Sequence, residues 1–303
     1  MIYTYNCYLP NDTKKITADY SSAVIHFKPE YPASITQPLI DKISTPIEFH
    51  SIELRPDIYE FIKANDKPEY TYYIPGIINE STKSTLINNN YWIKTTASYY
   101  NNFTTIDTHE KPYYFEVMYG TIKQHRLFIC ANINKFRDKV FETPFLQMQS
   151  VNNEVVQKNE YWENDIIIDN NMVIYNNHRM LPSQVLPKKI YDKAAFSIIP
   201  ETFAINEFSF FTEKIVKPII AGRLFIVISG QYYLKNLRKL GFKTFNGIID
   251  ESYDEISDNK ERWLAALNEA QKLTKIPQTK IINDCYDILK HNYEQIFAIS
   301  RNN

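Results

Sequence analysis

The sequence predicts an α/β protein with a parallel sheet in its C-terminal half, and three observations lead there. Stretches of strand and helix character alternate over residues 113–275, the pattern of successive βαβ units. The run Leu224-Phe-Ile-Val-Ile-Ser229 is apolar and β-branched, as in a parallel strand covered on both faces. The chain has 303 residues, too many for one ordinary core and enough for two domains.

The elements follow in order. Residues 1–110 read as β-rich and irregular. Alternating stretches such as Ser22–Phe27 are interrupted by Pro29, Pro32, Pro38 and Pro46, and Asn88-Asn89-Asn90 and Asn101-Asn102 read as turns. The pattern changes at Lys111-Pro112, which sets a predicted boundary between domains 1–111 and 112–303. Tyr113–Tyr119 reads as a buried strand, with Gly120 and Thr121 as its turn. Ile129, Ile133, Phe136 and Val140 then recur at helical spacing and predict one helix. Asn170-Asn171 and Asn176-Asn177 mark loops, and Ala194–Ile199 is a strand ended by Pro200. Thr212 can cap a helix beginning at Glu213. Gly230 turns the chain into a helix from Tyr232 to Leu240, and Gly241 is placed to stop it. Asp258 and Glu261 form a capping-box pattern before Arg262–Leu273. Lys280–Phe297 supplies a last amphipathic helix, predicted to pack back on the N-terminal domain.

Composition narrows the function. Lys and Arg number 34 against 35 Asp and Glu, a net charge of -1 that excludes a histone-like binder but leaves room for a local basic cleft. The cysteines, Cys7, Cys130 and Cys285, are few and far apart, which argues against a disulfide framework and for a reducing, cytoplasmic compartment. The N-terminus lacks a signal-peptide pattern, and the longest apolar stretches contain Lys217 and Arg223, so no membrane span is expected. With six glycines there is no G-x-G-x-x-G, no P-loop and no G-x-S-x-G. The six histidines show no zinc spacing, and no D-x-D is present to hold a divalent ion on a diphosphate, so neither a metal nor a cofactor is expected.

The informative segment is 196–256. A helix capped by Thr212 would carry Glu213, Lys214 and Lys217 at its start. Free N–H groups and lysines at a helix N-terminus suit phosphate, while a carboxylate beside them can accept hydrogen bonds from a ribose diol. The cluster therefore suits a nucleoside diphosphate, although Thr-Glu-Lys is also an ordinary first turn.

Phe-Thr-Glu-Lys (211–214), Lys217-Pro218, Gly222 with the strand after it, Leu240-Gly-Phe-Lys-Thr-Phe245 and Asp250-Glu-Ser-Tyr-Asp254 together resemble the α1,3-fucosyltransferase-like glycosyltransferases, and more closely their phage and viral relatives. The resemblance covers roughly 112–265. It implies two Rossmann-like domains facing a central cleft (the GT-B type), with a UDP- or GDP-sugar as donor on the C-terminal domain. It implies that Glu213 and Lys214 hold ribose and phosphate, and that an arginine near the first helix of that domain contacts the diphosphate, for which Arg126 is suitably placed. It further implies inversion at the anomeric carbon without a metal. The base should come from the N-terminal half, with Glu80 as first choice and Asp107 as second. The phage-like cast suggests 5-hydroxymethylcytosine in duplex DNA as acceptor, in the host cytoplasm. Contact with DNA would require basic residues such as Lys63, Lys67, Lys94, Lys111, Arg223, Lys235 and Arg238 to gather at the cleft mouth. A glycan or lipopolysaccharide-type acceptor, and a non-catalytic nucleotide-sugar or DNA-binding protein, are the alternatives.

Overall fold

Parallel pairing dominates both halves of the chain. The computed structural model describes residues 2–6, 22–27, 40, 46–100, 106–146, 161–162, 167–169, 172–175 and 178–301. Cys7, Pro29, Pro32, Pro38, Asn101-Asn102, Asn170-Asn171 and Asn176-Asn177 lie outside the described residues. The chain divides into two units, Met1–Trp92 and Ile93–Asn303, so the division falls ahead of the expected 111/112 boundary. The reason is local: residues just after 92 belong to the second unit's interior. Gln184 donates to Thr95 and Thr96, and the Tyr100 hydroxyl donates to the Gln184 carbonyl and accepts from the Leu186 amide.

In the first unit, β1 (Ile2–Asn6), β2 (Ser22–His26), β3 (Ile47–His50), β4 (Tyr70–Ile74) and β6 (Thr85–Asn88) form an all-parallel sheet in the order β1-β2-β3-β4-β6. The short β5 (Gly76–Ile78) lies between β4 and β6 in sequence. Helix α1 (Pro56–Ala64), with proline at its first position, buries Ile58, Tyr59, Phe61 and Ile62. The Phe61 ring meets Phe27 and Phe49 edge-on at 5.1 and 5.6 Å, which seats the helix on one sheet face. Regular parallel pairing here is more order than the interrupted sequence suggested. The Asn88–Asn90 turn is present. The Asn88 and Asn89 side chains accept from the Asn90 and Tyr91 amides, which leads into α2 (Tyr91–Ser98).

The second unit is built on β7 (Tyr113–Thr121), β8 (Val140–Leu146), β12 (Ala194–Pro200) and β14 (Phe225–Ile228), all parallel, in the order β14-β12-β7-β8. After β7 the chain crosses to one side for β8, and afterwards builds on the other side of β7. The switch point therefore lies between β7 and its two neighbours, where open α/β sheets bind ligands at their carboxyl ends. A small antiparallel sheet, β9 (Ile167–Asp169), β10 (Met172–Tyr175) and β11 (His178–Met180), and the short α4 (Lys188–Tyr191) come between β8 and β12.

The helix expected through Val140 ends earlier. Helix α3 is Gln124–Asn132, a 3-10 segment covers Ile133–Lys139, and Val140 begins β8. Ile129, Ile133, Phe136 and Val140 are all buried, so the spacing reported burial correctly and backbone type incorrectly. Gly120 and Thr121, expected as a turn, complete β7, with Gly120 at φ +63. Beyond β13 (Phe208–Phe210) the expectations hold closely. Helix α5 is Glu213–Ile220 with Thr212 as its cap, and α6 is Tyr233–Lys239, stopped by Gly241 at φ +87. Helix α7 is Asn259–Leu273, capped by Asp258, and α8 is Gln278–Arg301. The Gln278 and Asn292 side chains of α8 each bracket a backbone residue, Lys111 and Lys243, accepting from its N–H and donating to its carbonyl. Among the described residues no helix is long and apolar enough to cross a membrane.

Candidate functional site

A cavity of about 400 Å³ opens at the switch point. Its floor is β7, β8 and β12, through Glu116, Met118, Gly120, Thr143, Ile198 and Pro200, and α5 closes it with Glu213, Lys214, Lys217 and Pro218. Lys123 and Arg126, at the start of α3, complete a cationic end near Thr121 and Thr202. Four of the sequence-derived candidates, Arg126, Glu213, Lys214 and Lys217, thus line one cavity although they lie as much as 91 residues apart in sequence, from 126 to 217.

Arg126 is the most informative. It is 2% exposed, and its Nη1 donates to the Thr121 carbonyl and hydroxyl at 2.9 and 3.1 Å, while Nη2 donates to the Glu201 carbonyl at 3.3 Å. Its Nε–H has no hydrogen-bond partner, and among the described residues no carboxylate stands within ion-pair distance of it. Burial pushes its pKa down, with Glu201 and Glu213 pulling the other way. The β-carbon that any other residue would carry at 120 would lie 3.2 Å from Arg126 Nη1, so Gly120 leaves room for the guanidinium. A buried guanidinium with no carboxylate in ion-pair contact among the described residues, beside a cavity, is arranged for an anion.

The start of α5 differs from expectation in one respect. Its N–H groups are not free. The Lys214 amide donates to the Thr212 hydroxyl at 3.3 Å, and the Ile215 and Val216 amides donate to the Thr212 carbonyl. Positive charge at this end therefore comes from side chains. Lys214 Nζ donates to Glu213 Oε1 and Thr202 Oγ1, both at 2.9 Å. Burial raises the Glu213 pKa, but the charges of Lys214 and Lys217 win and hold it below the usual carboxylate range. Lys217 Nζ donates to the Ser183 carbonyl at 2.8 Å.

Thr212 is not on the cavity wall. It acts through the helix cap and through a hydrogen bond that its hydroxyl donates to Glu201 Oε2 at 2.9 Å. Glu201, fully buried, also accepts from the Tyr233 hydroxyl at 2.7 Å and the Thr202 amide at 2.8 Å, and burial raises its pKa. The sequence reading missed Glu201, Thr202 and Glu116. The available signal was a lone acid at the end of an apolar strand (Glu201) or inside one (Glu116).

Neither candidate base is among the residues that line the cavity. Glu80 belongs to the first unit, is exposed, and lies 3.9 Å from Lys63. Asp107 belongs to the second unit. Its partial burial would raise its pKa, but hydrogen bonds from Lys111 at 2.5 Å and from His109 bring it to about 2, so it is a weak proton acceptor. Of the lysines and arginines considered for DNA, Arg223 is buried and donates to the Tyr191, Ala194 and Phe196 carbonyls, which removes it from any binding surface. Arg238 is paired with Glu251 at 2.9 Å.

No family model and no curated protein matches the sequence, so the reading of the site stands on its geometry.

Proposed function

We propose that the protein is a glycosyltransferase whose C-terminal unit binds the diphosphate of a UDP- or GDP-sugar at this cavity. The observation that carries the reading is Arg126, a buried cation with no carboxylate in ion-pair contact among the described residues, at the carboxyl ends of parallel strands. Lys123 and Lys214 add charge beside it, and Glu213 offers a carboxylate to a ribose diol. In this reading the two parallel-sheet units are the acceptor and donor domains of a GT-B arrangement. The acceptor oxygen attacks the anomeric carbon opposite the leaving group, with inversion, while the bond to the diphosphate breaks. The acceptor's proton passes to a carboxylate of the acceptor side, and the three cations offset the charge that gathers on the diphosphate, without a metal.

The acceptor proposed is the hydroxymethyl group of 5-hydroxymethylcytosine in duplex DNA, with a glycan hydroxyl as the rival outcome. Calorimetry with UDP and GDP tests the donor site. Arg126→Gln and Glu213→Ala should each weaken the better ligand by about tenfold or more, the loss expected for a buried charge-assisted contact. Unchanged affinity in both variants would sink the assignment. Turnover on hydroxymethylated duplex, followed by mass, should survive a chelator. Loss of turnover that a divalent ion restores would overturn the metal-independent step.

A further inference from the structure

We propose that the Glu116 end of the cavity receives the nucleobase and that Glu116 selects it, admitting bases with a ring N–H (uracil or guanine) over those with a bare ring nitrogen at that place (cytosine or adenine). The inference rests on the nucleotide reading above and goes beyond it to a specificity-determining residue.

Glu116 is 1% exposed, lies within β7 and lines the cavity. Its Oε2 has no hydrogen-bond partner among the described residues. The nearby cations do not fill that vacancy. Arg223 directs its donors to three carbonyls and the Ser197 hydroxyl, and Lys217 donates to Ser183. A buried acceptor left open is rare in native interiors, and one carried by a residue that lines a cavity is poised for a donor that arrives with a ligand.

The layout fits the long axis of a nucleotide. Glu116 and Gly120 are four residues apart on one strand, so they point to the same sheet face about 13 Å apart. The Gly120 end holds Arg126, which suits phosphate. Between the two ends the wall is Met118, Ile198 and Pro218, apolar surface suited to a flat ring. A carboxylate is an acceptor only. It pairs with the N–H at uracil N3 or guanine N1, and it meets a lone pair at cytosine N3 or adenine N1. Burial raises the Glu116 pKa, with Arg223, the Ser197 hydroxyl and Lys217 opposing it, so the carboxylate form that selects the base is the one favoured on the alkaline side.

The test is calorimetry on the full chain at mildly alkaline pH, with UDP, CDP, GDP, ADP and inorganic pyrophosphate. In the wild type, UDP should bind about tenfold or more tightly than CDP, or GDP than ADP, because each mismatch leaves a buried polar group unpaired. UDP and CDP differ only at N3 and C4, so this comparison needs no variant and does not depend on one folding. Glu116→Gln, whose amide carries a donor beside its acceptor, should bring the ratio to within about threefold and leave pyrophosphate binding unchanged. Equal binding within each pair by the wild type would overturn the role of Glu116 while the diphosphate site stands. An unchanged ratio in Glu116→Gln would overturn it as well. If neither pyrophosphate nor any of the four nucleotides binds, the nucleotide reading fails and takes this one with it.

Discussion

Arg126 and His125 are adjacent in α3 and are handled in opposite ways. The arginine keeps its charge against the cost of burial, whereas the histidine is held neutral. His125 Nε2 donates to the Glu201 carbonyl at 2.8 Å, and the ring packs against Trp263. Burial lowers its pKa to about 4, the Glu201 carbonyl opposes this in part, and Arg126, Lys123 and Lys214 reinforce it. An unfolded chain would protonate this histidine at its ordinary 6.5, and the folded one does so only near 4. Between those values the unfolded state binds more protons, so His125 lowers stability as pH falls through that window, by on the order of 3 kcal/mol at its lower end. Buried Glu116 and Glu201 shift the other way, so the readout is a difference. Denaturant unfolding of wild type and His125→Gln, compared between neutral pH and pH near 4, should show the variant losing less stability. Parallel curves would refute the neutral, buried assignment.

At the scale of elements, α5 shows what local chemistry makes legible. Its start can be read to the residue because a cap is a short-range device: Thr212 accepts the Lys214 amide and the helix follows. The same hydroxyl donates to buried Glu201, so Thr212→Ala should cost about 2 kcal/mol or more, the lost cap plus a carboxylate short of one donor. Thr212→Ser should restore most of it, and thermal melts of the two variants check the pair. Equal destabilisation by alanine and serine would show that the methyl group, not the hydroxyl, matters. The end of α3 was not legible. Ile133, Phe136 and Val140 are buried beneath a 3-10 segment and a strand, and apolar spacing records burial whichever backbone supplies it.

Across the whole molecule, legibility follows the character of the strands. The second unit's β14 is buried at every position and announces a parallel sheet in sequence. In the first unit, β3 and β4 alternate between buried and half-buried residues, so the same parallel pairing looks like loose β structure. Residues 93–100 carry no motif, and their membership of the second unit depends on contacts such as Tyr100 with Gln184 that no local pattern encodes. The site divides in the same way. Glu213 and Lys214 sit in a motif and Arg126 is reached by its place at the first helix of the C-terminal half, whereas Glu116 and Glu201 gain meaning only when three strands converge.

The bracketing of Lys111 and Lys243 by side chains of α8 has a kinetic consequence. Both amides are protected from solvent by a glutamine or an asparagine rather than by a strand partner. Their hydrogen–deuterium exchange should therefore be clocked by opening of the last helix, and not by opening of the central sheet. Asn292→Ala should speed exchange at Lys243 far more than at Ile226, and leave Lys111, held by Gln278, close to its original rate. Equal acceleration at all three amides would mean that the helix and the sheet open as one cooperative unit.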